Sequence, residues 1–145
     1  MCAEAASIAQ MLLDMLPLLN RAVATTIQMD APDALTMPQF RVLAHLSDGP
    51  KTVSELARRR RVTLASMGQL AQALVERGLV ERNPDPQDRR QYQLSLSLAG
   101  QERYAATYAL ALSQLTTLLG ERLSSAELAA LQTILPRLHH ALADQ

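Results

Sequence analysis

The sequence has little of several residue types on which some protein classes depend. Its only cysteine, Cys2, excludes an intrachain disulfide and any metal site built from several thiolates. It has no tryptophan, one phenylalanine and three tyrosines, whereas leucine and alanine are abundant and favour helix. A chain of 145 residues that is 48% hydrophobic fits one domain. We therefore expect a single domain with a helical, aliphatic core.

Long apolar runs are also missing from the sequence. Polar residues such as Asp14, Asn20 and Arg21 interrupt the apolar segments. None of these segments reaches the roughly 18 uncharged residues that a membrane span requires. The first residues lack the basic group with which a signal peptide begins. We expect a cytoplasmic protein that has no membrane partner.

The net charge is zero, but the charges are unevenly distributed along the chain. Residues 51–90 hold nine basic and five acidic side chains, a net of +4, so the remainder carries −4. Such asymmetry concentrates positive potential where phosphate contacts would act. Four of the basic residues are consecutive, Arg58–Arg61. Cations at the end of a helix also complement its dipole, so a structural and a phosphate-binding interpretation of this run both remain open.

The most informative stretch is NPDPQDRR, residues 83–90, between two runs that look like strands. The chain is apolar and then charged over 79–82, and it alternates strictly over 91–97, which is the period of a half-buried strand. The tip between them has two prolines, two aspartates and two arginines, so it cannot be core. It is either a plain surface loop or a device that reaches a polyanion, and charge runs are usually solvated faces.

Apolar periodicity and capping patterns predict helices on both sides of this hairpin. The pairs Thr52 with Glu55 and Ser124 with Glu127 have the spacing of capping boxes. Gly78 is the expected stop of the helix before the hairpin. The predicted helices cover 3–28, 38–47, a short segment from 53 into the arginine run, 64–77, 98–120 and 125–143.

Two prolines and one linker interrupt this pattern. Pro17 and Pro136 fall inside the first and last predicted helices. A proline removes one helical hydrogen bond and clashes with the preceding turn, so we expect a kink at each. Residues 30–33, DAPD, are expected to be a linker.

The predicted helix over 64–77 has a neutral polar face. No basic residue lies between Leu64 and Glu76. This face could approach base edges through hydrogen-bonding groups while arginines elsewhere bind phosphates. A merely soluble surface is the alternative, and glutamine and serine suit both interpretations.

The first helix and the last two are more apolar than a monomer of this size needs. Pairing of two chains through them is the natural way to bury their apolar faces. We therefore expect a homodimer.

An enzyme is a weaker hypothesis. The three histidines are His45, His139 and His140, and they form neither an H-E-x-x-H motif nor a triad with Cys2. Adjacent residues on a helix point to different faces, so the histidine pair does not make one site. We expect no catalytic residues, no metal and no cofactor.

This order of elements resembles the MarR family of bacterial transcriptional regulators. The matching stretches are TMPQFRVLAHL, TVSELARRRRVT, LVERGLVERNPDPQDRRQYQLSLSLAGQ and the terminal helices, and the most specific is GLVERNPDPQDRRQYQLSLSLAG. The resemblance implies a mainly α fold with a small β-hairpin wing, a winged helix-turn-helix with N- and C-terminal dimerisation helices. It implies one MarR-like domain, 1–145, with a winged-helix DNA-binding lobe at 34–97 and a helical dimerisation region at 3–28 and 98–143.

The resemblance also implies a function and a set of site residues. The protein would be a dimeric, sequence-specific repressor of transcription that binds a pseudo-palindromic operator in double-stranded DNA and responds to a small-molecule effector. Arg90 would enter the minor groove, Asp88 would orient it, and Arg89 would contact the DNA backbone. The full set of implied DNA-binding residues is Arg90, Arg89, Asp88, Thr63, Ser66, Gln69 and Gln72.

Several points stay open at this stage. Ala73 and Gly68 depart from the residues common in this family, so no operator sequence is carried over. Met11, Met15 and Phe40 are candidate walls of an effector pocket, although methionine at helical spacing is more often ordinary core. Two alternatives to the regulator remain: a winged-helix protein-interaction module without DNA specificity, and a regulator that senses oxidants through the Cys2 thiol.

Overall fold

The computed structural model of the chain describes residues 3–28 and 34–143. Cys2 and the predicted linker at 30–33 lie outside the described residues. The elements in chain order are α1 (Ala3–Gln28), α2 (Met37–Ser47), β1 (Lys51–Thr52), α3 (Val53–Arg60), α4 (Leu64–Glu76), β2 (Val80–Pro84), β3 (Tyr92–Leu96), α5 (Leu98–Arg122) and α6 (Ser125–Ala143).

The prediction of a mainly helical winged helix-turn-helix is confirmed. Helix α2 begins at Met37, one residue before the predicted start. Helix α4 ends at Glu76, because Arg77 is its C-cap. Helix α5 continues to Arg122, two residues beyond the predicted end. Both α1 and α6 continue as helix through their internal prolines, Pro17 and Pro136.

Side-chain caps explain where the three helices before the wing begin. Thr36 and Gln39 form a capping box at α2, and Thr52 and Glu55 form one at α3, in which each side chain binds the other residue's backbone N–H. At α4 the Thr63 hydroxyl accepts the N–H of Ser66. The first of these boxes was not predicted, whereas the Thr52 box was. Local hydrogen bonding therefore sets the helix starts on which the helix-turn-helix depends.

The sheet is small and antiparallel, with strand order β1-β3-β2. In the hairpin, Val80 is opposite Leu96, Arg82 is opposite Leu94 and Pro84 is opposite Tyr92. Residues opposite each other share a face of the sheet, and Val80 and Leu94 bury that face in the core. Strand β1, which was not predicted, is only Lys51–Thr52, because Thr52 is also the N-cap of α3.

One hydrophobic core joins α2, α3, α4 and the inner face of the hairpin. Val23 and Tyr104, from α1 and the first part of α5, pack against it. The fully buried large apolar side chains are Leu35, Val42, Leu43, Leu56, Met67, Leu74 and Leu94. This core holds α4 against the base of the hairpin and so positions the candidate site.

The base of the hairpin is closed tightly against the start of α5. Gly78 has a φ of 70°, a left-handed conformation that ends α4 as predicted. The Ser97 hydroxyl donates to the Gly78 carbonyl at 2.6 Å and accepts the Gly100 N–H at 3.0 Å. A Cβ atom at Gly100 would lie 1.9 Å from the Leu79 carbonyl oxygen. Only glycine allows the two backbones to approach this closely.

The chain divides into two compact units, Met1–Ala109 and Leu110–Gln145. The first contains the winged-helix elements, α1 and the first part of α5. The second contains the rest of α5 and helix α6, whose start is capped by the Ser124 and Glu127 box. Helix α6 has no buried residue.

Candidate nucleic-acid interface

The wing tip, residues 85–91, is a loop closed by its own hydrogen bonds. The Asp85 N–H donates to the Gln91 carbonyl, and the Gln91 N–H donates to the Asp88 carbonyl, both at 2.9 Å. The carboxylates cap turns two residues on: Asp85 Oδ1 accepts from the Gln87 N–H at 2.9 Å, and Asp88 Oδ1 from the Arg90 N–H at 3.0 Å. Such aspartate turns fix the backbone without help from the core.

Both arginines of the wing tip are exposed. Asp88 was expected to orient Arg90, and the bond it makes is to the backbone N–H rather than to the guanidinium. Aspartate has a short side chain that reaches the amide two residues ahead in its own turn. Asp88 therefore shapes the turn that presents the two exposed arginines, Arg89 and Arg90.

The outward face of α4 is polar, as predicted. Met67, Ala71 and Leu74 point into the core. The exposed polar residues at the opposite surface are Thr63, Ser66, Gln69 and Gln72. Thr63 is the N-cap of α4, and a spacing of three residues makes each of these side chains a neighbour of the next, with the exposed Glu76 following in the last turn.

These polar residues differ in what they already bind. The Thr63 hydroxyl is bound to Ser66 by two hydrogen bonds, 3.1 Å to the N–H and 2.8 Å to the hydroxyl. The Gln72 amide is bound at both ends, since its Nε2 donates to Glu76 Oε1 at 3.1 Å and its Oε1 accepts from Arg82 Nη2 at 3.2 Å. Among the four, Gln69 has an amide with no hydrogen bond to the described part of the chain.

The contact of Arg82 with α4 was missed at the level of sequence. Its guanidinium carbon also lies 5.7 Å from the centroid of the Tyr92 ring, within cation–π range. The alternation over 91–97 gives Tyr92 the same face as Leu94, but the sequence did not identify the strand register that brings Arg82 to that face.

The structure separates the four consecutive arginines into different environments. Arg58, Arg59 and Arg61 are exposed, and Arg61 has a left-handed backbone with φ 52° at the turn before α4. Arg60 is half-buried, and burial, together with the nearby Arg41, lowers its pKa. The three exposed cations add positive charge to the surface beside the start of α4.

The pKa of His45 on α2 is affected by the same positive charge. Burial is the largest cause that lowers its pKa from 6.5, and the charges of Arg60, Arg59 and Lys51 lower it further, against a smaller opposite effect of Asp48. Lys51 is buried and donates to the Gly49 carbonyl at 3.3 Å. The charges of Arg59, Arg60 and Lys51 therefore act on α2 at His45.

Two cavities adjoin these elements. A cleft of about 330 Å³ separates the outer part of the wing from α3 and α4, and its walls include Ser54, Gly68, Arg82 and Tyr92. A second cavity of about 530 Å³ is lined by residues from α2, β3 and α5, including Ser47 and Tyr104.

The residues suggested for an effector pocket occupy other environments. Met11 and Met15 are exposed on α1. Phe40 stacks on Tyr104, with ring centroids 5.4 Å apart. The structure therefore places Phe40 in an aromatic contact beside the core, and the two methionines on an exposed helix surface.

Neither a metal site nor a membrane-spanning helix is found in residues 3–28 and 34–143. Within these ranges, no group of three or more histidine, cysteine, aspartate or glutamate side chains could hold a metal ion. In the same part of the chain, every helix is too short or too polar to cross a membrane.

Comparison with known proteins identifies relatives for most of the chain. The MarR family model matches residues 35–91. A probable transcriptional regulator from Pseudomonas aeruginosa is 30% identical, with 86% of this chain and 93% of that chain covered and a TM-score of 0.64. RV1404 from Mycobacterium tuberculosis is 27% identical, with 99% and 97% covered and a TM-score of 0.83.

A mutant MarR from E. coli, solved in complex with operator DNA, has the same fold. It is 24% identical, 93% of this chain and 95% of that chain are covered, and the TM-score is 0.68. No curated protein matches the sequence.

Proposed function

Since the chain belongs to the MarR family of transcriptional regulators, we propose that it is a sequence-specific, homodimeric DNA-binding repressor. The observation that carries this proposal is geometric. The exposed arginines of the wing tip and the exposed polar face of α4 belong to one compact unit, Met1–Ala109. In a winged helix-turn-helix, these are the two elements that reach the grooves of a duplex.

The wing supplies the contact that does not depend on base hydrogen bonds. An A/T-rich minor groove is narrow and focuses negative potential. A slender guanidinium is therefore stabilised there without hydrogen bonds to individual bases. We assign this role to Arg90, with Arg89 as a contact to the DNA backbone. Asp88 supports both through the bond from its carboxylate to the Arg90 N–H.

Helix α4 supplies base recognition in the major groove. Gln69 can bind an adenine edge with both ends of its amide, because no described residue occupies them. Ser66 and Thr63 lie one turn nearer the start of α4, where their hydroxyls can meet bases or phosphates. Gln72 joins this surface at its far end, where it is already bound to Arg82.

Dimerisation would use the helices outside residues 34–97. The apolar residues Ile8, Met11, Leu12, Met15 and Leu19 recur along one stripe of α1 and are 37–59% exposed. In the second unit, Leu112, Leu118, Leu119, Ile134, Leu135 and Leu142 are 41–62% exposed. Apolar surface of this extent is typical of an interface. We accordingly assign 34–97 to DNA binding, and 3–28 and 98–143 to dimerisation, within one MarR-like domain.

A small-molecule effector would act by favouring one conformation of the dimer. To weaken operator affinity about 100-fold, it must bind the two conformations with free energies that differ by about 2.7 kcal/mol.

The wing assignment is tested by Arg90→Ala. Because Arg90 neutralises phosphate charge at any sequence, the variant should bind both operator and random DNA about 10-fold or more weakly, and the slope of log affinity against log salt should fall by about 1. Fluorescence anisotropy over a salt series measures both quantities. Arg122→Ala removes an equal charge from an exposed residue of the second unit and is the matched control. An Arg90→Ala protein with unchanged affinity and salt slope would refute the assignment.

Sequence specificity is tested separately. Selection and sequencing of bound DNA fragments should yield a pseudo-palindrome with half-sites about 10 base pairs apart. Gln69→Ala should change the preferred base within each half-site. A winged-helix module that binds only proteins would show no preference for any fragment over random DNA at physiological salt.

A further inference from the structure

Arg82 connects the wing to the recognition helix. It lies on β2, it donates to the Gln72 side chain of α4 at 3.2 Å, and its guanidinium carbon lies 5.7 Å from the Tyr92 ring centroid on β3. A planar guanidinium can hydrogen-bond at its edge and stack through its face at the same time. Arg82 thus contacts α4 and both wing strands.

The strand register explains why an arginine occupies this place. Val80 and Leu94 share the inner face of the hairpin with Arg82 and are buried in the core. Toward the tip, the same face continues with Tyr92, which is 52% exposed. Arg82 therefore lies between the apolar packing of the hairpin on α4 and the solvent-exposed cleft beside Tyr92.

The hydrogen bonds through Gln72 have a consistent polarity. Glu76 Oε1 accepts from Gln72 Nε2 at 3.1 Å, and Gln72 Oε1 accepts from Arg82. An amide between a carboxylate and a guanidinium is polarised in one direction, which strengthens both of its hydrogen bonds. The Gln72 amide therefore links the two charged groups in a defined orientation.

The wing and the helices separate beyond this link. The cleft of about 330 Å³ there is lined by Ser54, Leu64 and Gly68 on the helices, and by Gln91 and Tyr92 on the wing. The tip has its own turns, and these set its local shape rather than its angle to α4. An angular change at the level of Arg82 would move Arg90 relative to Gln69.

We propose that Arg82 is a positioning residue, which acts through Gln72 and Tyr92 to set the angle between the wing and α4. It thereby lets the wing arginine and the helix reach adjacent grooves of one DNA site together. This role rests on the proposed DNA-binding function and adds a specificity determinant to it. Arg82 and Gln72 then act as a pair, and Gln72 contributes through Arg82 more than through a base.

The pair is tested by a double-mutant cycle on DNA binding. Gln72→Ala changes no charge, so it should lower the ratio of operator to random-DNA affinity about 10-fold and leave the salt slope unchanged. Arg82→Ala should lower the ratio equally, and the double variant should be no worse than either single variant. Arg82→Lys keeps the cation over Tyr92 and should retain part of the ratio. Gln132→Ala, on exposed α6, is the matched neutral control.

Two results would overturn the positioning role. If Arg82→Ala weakens operator and random DNA equally with a lower salt slope, while Gln72→Ala has no effect, Arg82 is a direct phosphate contact. If Gln72→Ala changes the preferred base while Arg82→Ala does not, Gln72 reads DNA by itself.

A measurement without DNA tests the link on its own. The protein has three tyrosines, so 3-fluorotyrosine labelling should give three fluorine resonances. Arg82→Ala and Gln72→Ala should shift or broaden the Tyr92 resonance. Tyr104 and Tyr108, whose ring centroids are 5.9 Å apart, serve as internal references. A Tyr92 resonance that neither variant moves would refute the link.

The two proposals fail in different ways. A wild-type protein with no preference for any DNA fragment would refute the DNA-binding function, while the fluorine spectra would still report whether the link exists. A wild-type protein that selects an operator, with both variants unchanged in specificity, would refute only the role of Arg82.

Discussion

The winged-helix region, 34–97, and the helices outside it use apolar residues in opposite ways. In the winged-helix region, Leu43, Leu56 and Leu74 are completely buried. On α1, the apolar Met11 and Leu13 are 59% and 62% exposed, and α6 buries none of its residues. Leucine occurs in both parts, so the residue type alone does not decide whether a side chain is buried.

The winged-helix region buries apolar side chains within its own core. The helices outside it have exposed apolar side chains that only a further contact surface could bury. Full burial of a fully exposed leucine or methionine side chain is worth about 1.5–3 kcal/mol. The side chains on the α1 stripe are 37–59% exposed, so each can contribute part of that to association. The winged-helix region has its own core, and most of its exposed residues are polar or charged, although the large apolar side chains of Val62, Leu64 and Tyr92 are 43–59% exposed. The same chain therefore combines one surface suited to a polyanion with another suited to apolar contact.

The largest effect is expected where the hairpin base meets α5. In Gly100→Ala, the new Cβ would lie 1.9 Å from the Leu79 carbonyl oxygen, a backbone atom that cannot move alone. Overpacking of this kind should lower the free energy of unfolding by about 3 kcal/mol or more. Gly68→Ala is the control, since its Cβ would meet nothing within 4 Å, and it should be neutral or stabilise α4 by up to about 1 kcal/mol. Urea denaturation compares the two, and equal stabilities would contradict the close approach.

The comparison of the two regions is sharpened by a pair of leucine and methionine variants. Leu43→Ala empties a fully buried position and should cost about 2–5 kcal/mol of unfolding free energy. Met11→Glu places a charge on the exposed stripe of α1 and should instead convert dimer to monomer, as measured by sedimentation equilibrium. Ala6→Glu adds the same charge on the opposite face of α1 and should preserve the dimer. A Met11→Glu protein that remains dimeric would remove α1 from the proposed interface.

A smaller effect is expected from the caps, which both regions possess. Thr52→Ala removes the hydroxyl that accepts the Glu55 N–H at 3.1 Å and should cost about 1 kcal/mol of global stability. Thr52→Ser keeps the hydroxyl and should cost less. Ser124→Ala removes the corresponding cap of α6, where hydrogen exchange should report faster opening of the first turn rather than global unfolding. If Thr52→Ala and Ser124→Ala lowered global stability equally, the two regions would not differ in how they depend on their caps.

The smallest effect concerns pH. Burial and the neighbouring arginines hold the pKa of His45 below 6.5 in the folded protein. The folded state therefore favours the neutral ring, so this contribution to stability is complete above pH 6.5 and is lost as pH falls through the lowered pKa. His45→Gln should flatten the decline of stability between about pH 7 and 5. If His45→Gln loses as much stability as the wild type over this pH range, the loss comes from other titratable groups.

Much of the fold was predictable because its signals are local. The Thr52 and Ser124 capping boxes and the Gly78 stop each involve residues a few positions apart, and each is present. The Thr36 box was missed, although its signal, a threonine three residues before Gln39, was also local. Strand β1 was missed for another reason: two residues show no periodicity, and they are extended because they pair with β3.

The candidate site was predictable in its residue types and less so in its contacts. The sequence indicated an exposed tip with arginines and a polar face on α4, and both are exposed. It did not indicate that Asp88 binds the backbone, that Gln72 is held at both ends, or that Arg82 bridges wing and helix. The DNA-binding roles of these residues remain predictions.

Sequence alone determined the kinds of elements, their order and the location of the positive charge, because hydrophobic period, capping and charge are properties of neighbouring residues. Tertiary structure decided which residues meet across elements. Gly78 and Ser97 are 19 positions apart in the sequence, and Gln72 and Arg82 are 10 positions apart. Strand register and core packing bring the members of each pair together. These are decided by the whole set of contacts at once, so no local pattern contains them.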